Sequence, residues 1–442
     1  MPPLPPETRH PMEHPFKPDT LSRFLPFEPT SDQQTALQLI GEFLAEDCHE
    51  DFFILKGSAG TGKTSMVKAI TDCLSSMEIK FMLCAPTAQA ARIISIKTSR
   101  EARTMHSVIY TPKPMRKSSG IRLVPKQNRE EDFTLFIVDE ASMVSGKLKD
   151  NQQFIALKPL LSDFINFVKE GNERNKMLFI GDVYQLPPVK ETFSPALSLQ
   201  WLEGEYALEG QEAALQQVKR QQETSYVLQN AIGLRNSLQQ GSPPPPMKFV
   251  PFPNRKKALE HYCQQLSVQE YDRVVMIAHT NRDVNRLNSD VRKMIFREPD
   301  LLSRGDLVLL HANWHGNGRF LLKGDTGTVV EVGKNIEEKE GLKFATAEIR
   351  FSSPEEGSFY LTTKVLLDTL LTERGDLHHD QEQALFANAL KHNATFRKSR
   401  IVWDDPYLGA MRFRYAYAIT CHRAQGGEWA EVLLYPNVLR ND

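Results

Sequence analysis

No run of 18 apolar residues occurs in the sequence, so hydropathy predicts no membrane-spanning helix. The start, "MPPLPPETRHPMEHPFKP", lacks the apolar stretch of a signal peptide; it reads as a disordered or extended proline-rich tail over residues 1–26, or as a docking peptide. Cysteine is scarce. The five present, Cys48, Cys73, Cys84, Cys263 and Cys421, are odd in number and scattered, with neither a metal-ligand spacing nor a disulfide framework. A reduced, cytoplasmic protein is the expectation. An excess of one charge is also missing: the formal net charge is −1, which excludes a polycation drawn to nucleic acid as a whole. The histidines of "HANWHG" and His378-His379 have no ligand spacing and read as a barrel turn and as surface. What remains is ordinary for globular protein: 442 residues, 40% hydrophobic and 25% charged, enough for about three domains.

The stretch "ILKGSAGTGKTS" carries the clearest chemistry. Gly57, Gly62, Lys63 and Thr64 complete Gly-x-x-x-x-Gly-Lys-Thr after the apolar run "FFIL" and before a predicted helix starting at Ser65, the strand–loop–helix order of a phosphate-binding loop. Glycines let backbone N–H groups turn toward phosphate oxygens, and the helix N-terminus faces the same anion. Gly57, Ser58, Ala59, Gly60, Thr61, Gly62, Lys63, Thr64 and Ser65 are therefore candidate nucleotide ligands, Lys63 for the β- and γ-phosphates and Thr64 for Mg²⁺. ATP with Mg²⁺ is the expected cofactor pair. Downstream, "FTLFIVDEAS" is a strand ending in Asp139 and Glu140. Asp139 suits Mg²⁺, held through a water, and Glu140 suits polarisation of an attacking water.

Short apolar strands alternate with helical patterns through "SDQQTALQLIGEFLA", "FMLCAPTAQAARIIS" and "KMLFIGDVYQLPPV". The fold class is α/β: two P-loop-type units with parallel sheets, and ligands beyond the carboxyl ends of the strands, where Lys63, Asp139 and Asp182 fall. A first unit is expected over 27–190, with a short hairpin insert near 108–132, and a second over 191–300. From about residue 301 short strands joined by Gly, Asp and Asn turns predict a small β-barrel to about 410, inserted into the second unit, which resumes over 411–442. Charge is local. Between Arg92 and Arg129 lie Arg92, Lys97, Arg100, Arg103, Lys113, Arg116, Lys117, Arg122, Lys126 and Arg129 against the single acid Glu101, a candidate phosphate-backbone footprint. "KPMRKSSGIRLVP", with Arg116, Lys117 and Arg122, lies within it.

Eight stretches in order, Gln33 in "TSDQQTA", "GSAGTGKTS", "CAPTAQAA", "TMHSV", "VDEAS", "GDVYQLPPV", "VKRQ" and "AITCHRAQGGEW", resemble the helicase motifs of superfamily 1, closest to its RecD-like and Dda-like branch. The resemblance implies two RecA-like domains with ATP between them, an inserted SH3-like barrel, and single-stranded DNA across the top, with "KPMRKSSGIRLVP" where this branch carries a strand-separating pin. Carried over by position, Gln33 would read the adenine edge, Gln185 would sense the γ-phosphate, and Arg220 would project onto it; Gly426 and Glu428 join the nucleotide set. Pro86, Thr87, His106, Thr280, Asn281, Thr420 and His422 would line the DNA path, with Gln425 in the coupling cleft. His106 alone reads as a packed or capping histidine; its place in the ordered set argues otherwise. The implied activity is ATP-driven, 5′-to-3′ movement of a monomer on single-stranded DNA and at duplex junctions, with unwinding as a consequence. The rival readings are a translocase that remodels protein–DNA complexes and a nucleotide-gated DNA-binding module; Glu140 argues against the second. Relatives end in a motif resembling "YVAVTRAR", whereas this sequence ends in "LLYPNVLRND", 17 residues beyond Gln425. The expectation is a chain truncated relative to its working form, slow in turnover, with an open sheet edge and with Arg423 the nearest alternative arginine.

Overall fold

The computed structural model describes residues 18–114, 121–148, 154–155, 158–217, 226–268, 273–296, 300–321, 323–353, 357–372 and 377–435. In chain order the strands are β1 (Phe52–Gly57), β2 (Lys80–Ala85), β3 (Ala102–Thr104), β4 (Tyr110–Pro114), β5 (Ile121–Pro125), β6 (Thr134–Val138), β7 (Phe154–Ile155), β8 (Lys176–Gly181), β9 (Gly210–Leu215) and β10 (Val274–Ala278). There follow β11 (Leu307–Leu310), β12 (Trp314–Gly316), β13 (Arg319–Leu321), β14 (Thr326–Lys339), β15 (Leu342–Ser353), β16 (Gly357–Leu366), β17 (Met411–Tyr415), β18 (Ala418–Thr420) and β19 (Glu431–Leu434).

The first sheet is parallel, in the order β3-β2-β6-β8-β1-β9. Its central strands read as unbroken apolar runs because both faces are covered. Phe53, Leu55, Leu135, Ile137, Leu178 and Ile180 face one core with the helices Ser31–Phe43 and Lys63–Ser76. Phe52, Ile54, Phe136, Val138, Met177 and Phe179 face the other, with the helices Leu160–Gly171 and Leu199–Tyr206. The chain stays with this sheet through Leu215, past residue 191, where the sequence suggested the second unit begins. At the other end, the sequence reading extends the disordered tail to residue 26, but the chain is folded from Pro18, since Leu21 and Leu25 bury in the first core. The expected insert is a hairpin, β4 against β5, with Lys113 opposite Arg122 and β7 alongside.

The second sheet is β18-β10-β19, also parallel. Between β10 and β18 in sequence lies the expected insertion, a closed barrel of β11-β14-β15-β16-β17, whose last strand runs on to Tyr415. Barrel and sheet share one core, from Val274 and Met276 through Val308 and Phe413 to Ile419. A buried polar clamp fixes the junction. Asp306 accepts two hydrogen bonds from Arg292, one at 2.8 Å from Nε and one at 2.8 Å from Nη2, together with the Ser303 N–H at 2.7 Å and the Tyr417 hydroxyl at 2.9 Å. Every carboxylate lone pair thus meets a donor, which makes the buried ion pair tolerable. All five cysteines are free, and among the described residues no helix is long and apolar enough to cross a membrane.

Candidate functional site

The turn after β1 is shaped by two glycines in the left-handed region, Gly60 (φ 85°) and Gly62 (φ 89°). A Cβ on Gly62 would lie 2.6 Å from Gln33 Nε2, so only glycine fits beneath that side chain. Gly62 leads into the helix Lys63–Ser76 without a side-chain cap. The N-terminal N–H groups, including the first turn that carries Thr64 and Ser65, therefore remain donors for an anion. Lys63 Nζ folds back onto the carbonyls of Gly57 (2.6 Å) and Ser58 (3.1 Å), and the Thr61 hydroxyl also donates to Ser58 O (2.8 Å). Ala59 completes the same loop. Gln33 is fully buried; its Oε1 accepts from Thr30 N–H and its Nε2 donates to Thr61 O, both at 2.9 Å. It thus ties the helix Ser31–Phe43 to the loop.

Asp139 and Glu140 follow β6. Burial raises Asp139 above the usual carboxylate range, partly offset by the Glu140 N–H and by the charges of Lys63 and Lys97. Glu140 has φ 52°, a strained left-handed conformation for a non-glycine residue. Burial, and then the neighbouring charge of Asp139, push it up to about 7. Its Oε2 is buried and meets no hydrogen-bond partner among the described residues. Gln185 stands beside the carboxylate and favours its ionised form, against the burial. The Gln185 Oε1 in turn accepts from Gln425 Nε2 (3.1 Å) and the Ser142 hydroxyl (3.3 Å). Gln425 also donates to Leu186 O (3.0 Å), so the segment after β18 is fastened across the cleft onto the first unit. Gly426 (φ 76°) lies against it too: a Cβ there would stand 3.2 Å from Ala90 Cβ and 3.9 Å from Glu140 Cγ. Glu428 pairs with Lys97, and the charges of both are felt at Asp139.

A groove of about 1260 Å³ runs between the first sheet, the second sheet and the barrel. Arg92, Arg103, Lys147, Lys190, Arg319, Lys323 and Arg423 line it against Asp325 and Glu428, so it is strongly positive despite the neutral chain. Ile96, Phe351, Phe359 and Trp429 add apolar surface. Thr87, which caps the helix Ala88–Thr98 by accepting from Ala90 N–H at 3.1 Å, and His422 also line it. Pro86 precedes that cap. His106 packs its ring 5.9 Å from Tyr110, while its neighbours Thr104 and Ser107 reach the groove. Thr280 caps the helix Asn281–Ile295, accepting from Asp283 N–H at 3.0 Å, and the Asn281 Oδ1 accepts from Arg414 (3.1 Å). Thr420 stands at the N-terminus of the turn Cys421–Ala424. Burial, with Arg414 nearby, lowers Arg423 to about 10. Arg116, Lys117 and Arg220 lie outside the described residues, and Arg122 is described only as backbone of β5.

Sequence reasoning missed Lys147, Lys190, Arg319 and Lys323, scattered cations with no shared motif. It also missed Arg235, whose Nη1 donates to the Ser58 hydroxyl at 2.5 Å from mid-helix in Tyr226–Gln240.

A family model described as an AAA domain matches residues 42–191. The ATP-dependent RecD2 DNA helicase of Deinococcus radiodurans is 32% identical over 386 residues, 86% of this chain and 42% of that protein. The ATP-dependent DNA helicase dda of Enterobacteria phage T4 is 25% identical over 288 residues, 64% of this chain and 60% of that one. The chain thus spans about half the length of these curated relatives. A crystal structure of Pif1 helicase from Candida albicans aligns with 92% of this chain and 89% of its own, at 16% identity and a TM-score of 0.43.

Proposed function

Because the chain belongs to the RecD-like and Dda-like branch of the superfamily 1 helicases, we propose that it is an ATP-dependent DNA helicase moving 5′ to 3′ on single-stranded DNA. The observation that carries this is the hydrogen bond from Gln425 to Gln185, which stands beside Glu140, on the segment whose His422 lines the basic groove. ATP fits the loop: the uncapped helix N-terminus and Lys63 offer donors to its phosphates. Thr64 and Asp139 offer hard oxygens to Mg²⁺, which neutralises charge on the transferring phosphoryl group when bound. Glu140, as carboxylate, takes the proton of the attacking water, and its unpartnered Oε2 is the atom free to do so. Gln185 holds that carboxylate in place and feels any displacement of Gln425.

Closure of the cleft around ATP and its opening after hydrolysis then move two DNA grips against one another. Each base pair opened costs about 1.4 kcal/mol of stacking on average. Single-stranded DNA and its junctions with duplex are the partners, and the working unit is a monomer in the cytoplasm.

Strand displacement on duplexes with a 5′ or a 3′ single-stranded tail tests the reading, with Lys63→Ala as control. Displacement from 5′-tailed substrates only, lost in Lys63→Ala while DNA binding persists, is the expected result. Displacement from 3′ tails, or hydrolysis indifferent to saturating single-stranded DNA, would overturn it. DNA-stimulated hydrolysis without displacement would favour a translocase that remodels protein–DNA complexes.

A further inference from the structure

Two cations converge on one residue of the phosphate-binding loop. Lys63 Nζ lies on the Ser58 carbonyl, and Arg235 Nη1 lies on the Ser58 hydroxyl. Arg235 sits on the helix Tyr226–Gln240, outside the first sheet and its helices. Its Nε–H is buried and has no hydrogen-bond partner, and no carboxylate pairs with its guanidinium among the described residues. A buried donor left without an acceptor is costly, and so is bringing two like charges to one residue. Both costs vanish if a polyanion occupies the loop. The P-loop lysine serves the β- and γ-phosphates, so a cation gathered beside it at Ser58 stands at the terminal-phosphate end of the nucleotide.

We propose that Arg235 binds the terminal phosphate of the nucleoside triphosphate held in this loop, through Nε–H and the remaining Nη hydrogens. This rests on the ATP-binding reading above and assigns to a residue in no recognised motif a contact that the resemblance gives to Arg220. The planar guanidinium fork suits two phosphate oxygens at once. Since the contact depends on the helix Tyr226–Gln240 lying over the loop, loss of the terminal phosphate weakens that helix's hold on the site.

The test is equilibrium binding of ATPγS and of ADP to the wild type, Arg235→Ala, Arg235→Lys and Lys63→Ala, with single-turnover hydrolysis of ATP alongside and circular dichroism to establish folding. Arg235→Ala is expected to weaken ATPγS roughly tenfold or more, as for one charge-assisted contact, and ADP much less. Arg235→Lys is expected to recover part of the loss. Lys63→Ala is expected to weaken both nucleotides. Equal losses for ATPγS and ADP in Arg235→Ala, or no loss, would overturn the proposal and leave Arg235 as a contact to Ser58 alone. If the wild type bound neither nucleotide, the ATP-binding reading would fail and this inference with it.

Discussion

Replacing Glu140 with Gln should make the protein more stable and less active at the same time, and the stability gain should depend on pH in one direction only. The carboxyl sits at about 7 in the folded chain against 4.5 ordinarily, because burial and the charge of Asp139 oppose its ionisation. The folded state therefore holds this proton more tightly than the unfolded one. Below about pH 4.5 both states are protonated and nothing is lost; between there and about 7 the unfolded chain releases the proton while the folded one keeps it, and stability falls as pH rises. The difference between 4.5 and about 7 corresponds to about 3 kcal/mol, fully felt above pH 7. Gln has the same shape without the charge and keeps a polar contact to Gln185. Spread over a unit of roughly 200 residues, that energy raises the melting temperature by about 5–10 °C at pH 8, shrinking to about a quarter of that at pH 5 and to nothing below about pH 4. Hydrolysis should fall by about 10²- to 10⁴-fold with the loss of the base, and wild-type turnover should climb through about pH 7 as the carboxylate forms. Thermal melts of both proteins without nucleotide, from pH 5 to 8, decide the matter. A melting difference that ignores pH, or a Gln variant that hydrolyses ATP like the wild type, would refute the reasoning.

Two further outcomes follow from the groove and from the clamp. Converting Lys147, Lys190 and Lys323 together to Gln should flatten the salt dependence of single-stranded DNA binding by roughly 2 in the slope of log K against log salt, at roughly 0.7 per phosphate contact; an unchanged slope would mean that these lysines meet solvent rather than DNA. Asp306→Asn should cost about 3–5 kcal/mol because it strands the buried Arg292 guanidinium, seen as an early melting transition of the barrel and second sheet, and a loss below 1 kcal/mol would show that the clamp is dispensable.

The phosphate loop, Asp139 and Glu140 were legible because their chemistry is local: a glycine pattern, and carboxylates ending an apolar strand. The central strands were legible for a related reason, since burial on both faces leaves a run such as "FFIL" no alternation to obscure. β9 was not, because it pairs with β1 alone at the sheet edge and its "GQEAAL" keeps Gln and Glu on exposed or half-exposed positions. That one strand carries the first unit past residue 191. Leu21 and Leu25 were hidden by the prolines around them, although two buried leucines suffice to seat the segment. The other groove cations were illegible for the opposite reason. Lys147 and Lys190 come from the first unit and Arg319 and Lys323 from the inserted segment, and only the closed fold joins them to Arg92 and Arg103 in one surface.

On the proposed reading, a nucleotide site moves a DNA grip over a distance of one helical turn. His422 lines the groove and Gln425 reaches Gln185, three residues along the same segment, about 5 Å of rise for an α-helix. Gly426 then lies against Ala90, beside Glu140, at a positive φ that favours glycine. Coupling between remote sites calls for an element with two arrangements that both sites bias; on the proposed reading that element is this single turn, which hydrogen-bonds Gln185 beside Glu140 at one end and lines the groove at the other. The same logic explains why the polar groups there are amides. Gln425 donates a neutral hydrogen bond to Gln185, worth about 1 kcal/mol net, weak enough to break and re-form in the cycle proposed above. A buried ion pair in its place, such as the one that clamps Arg292 to Asp306, would cost several times more to open and would hold the cleft shut.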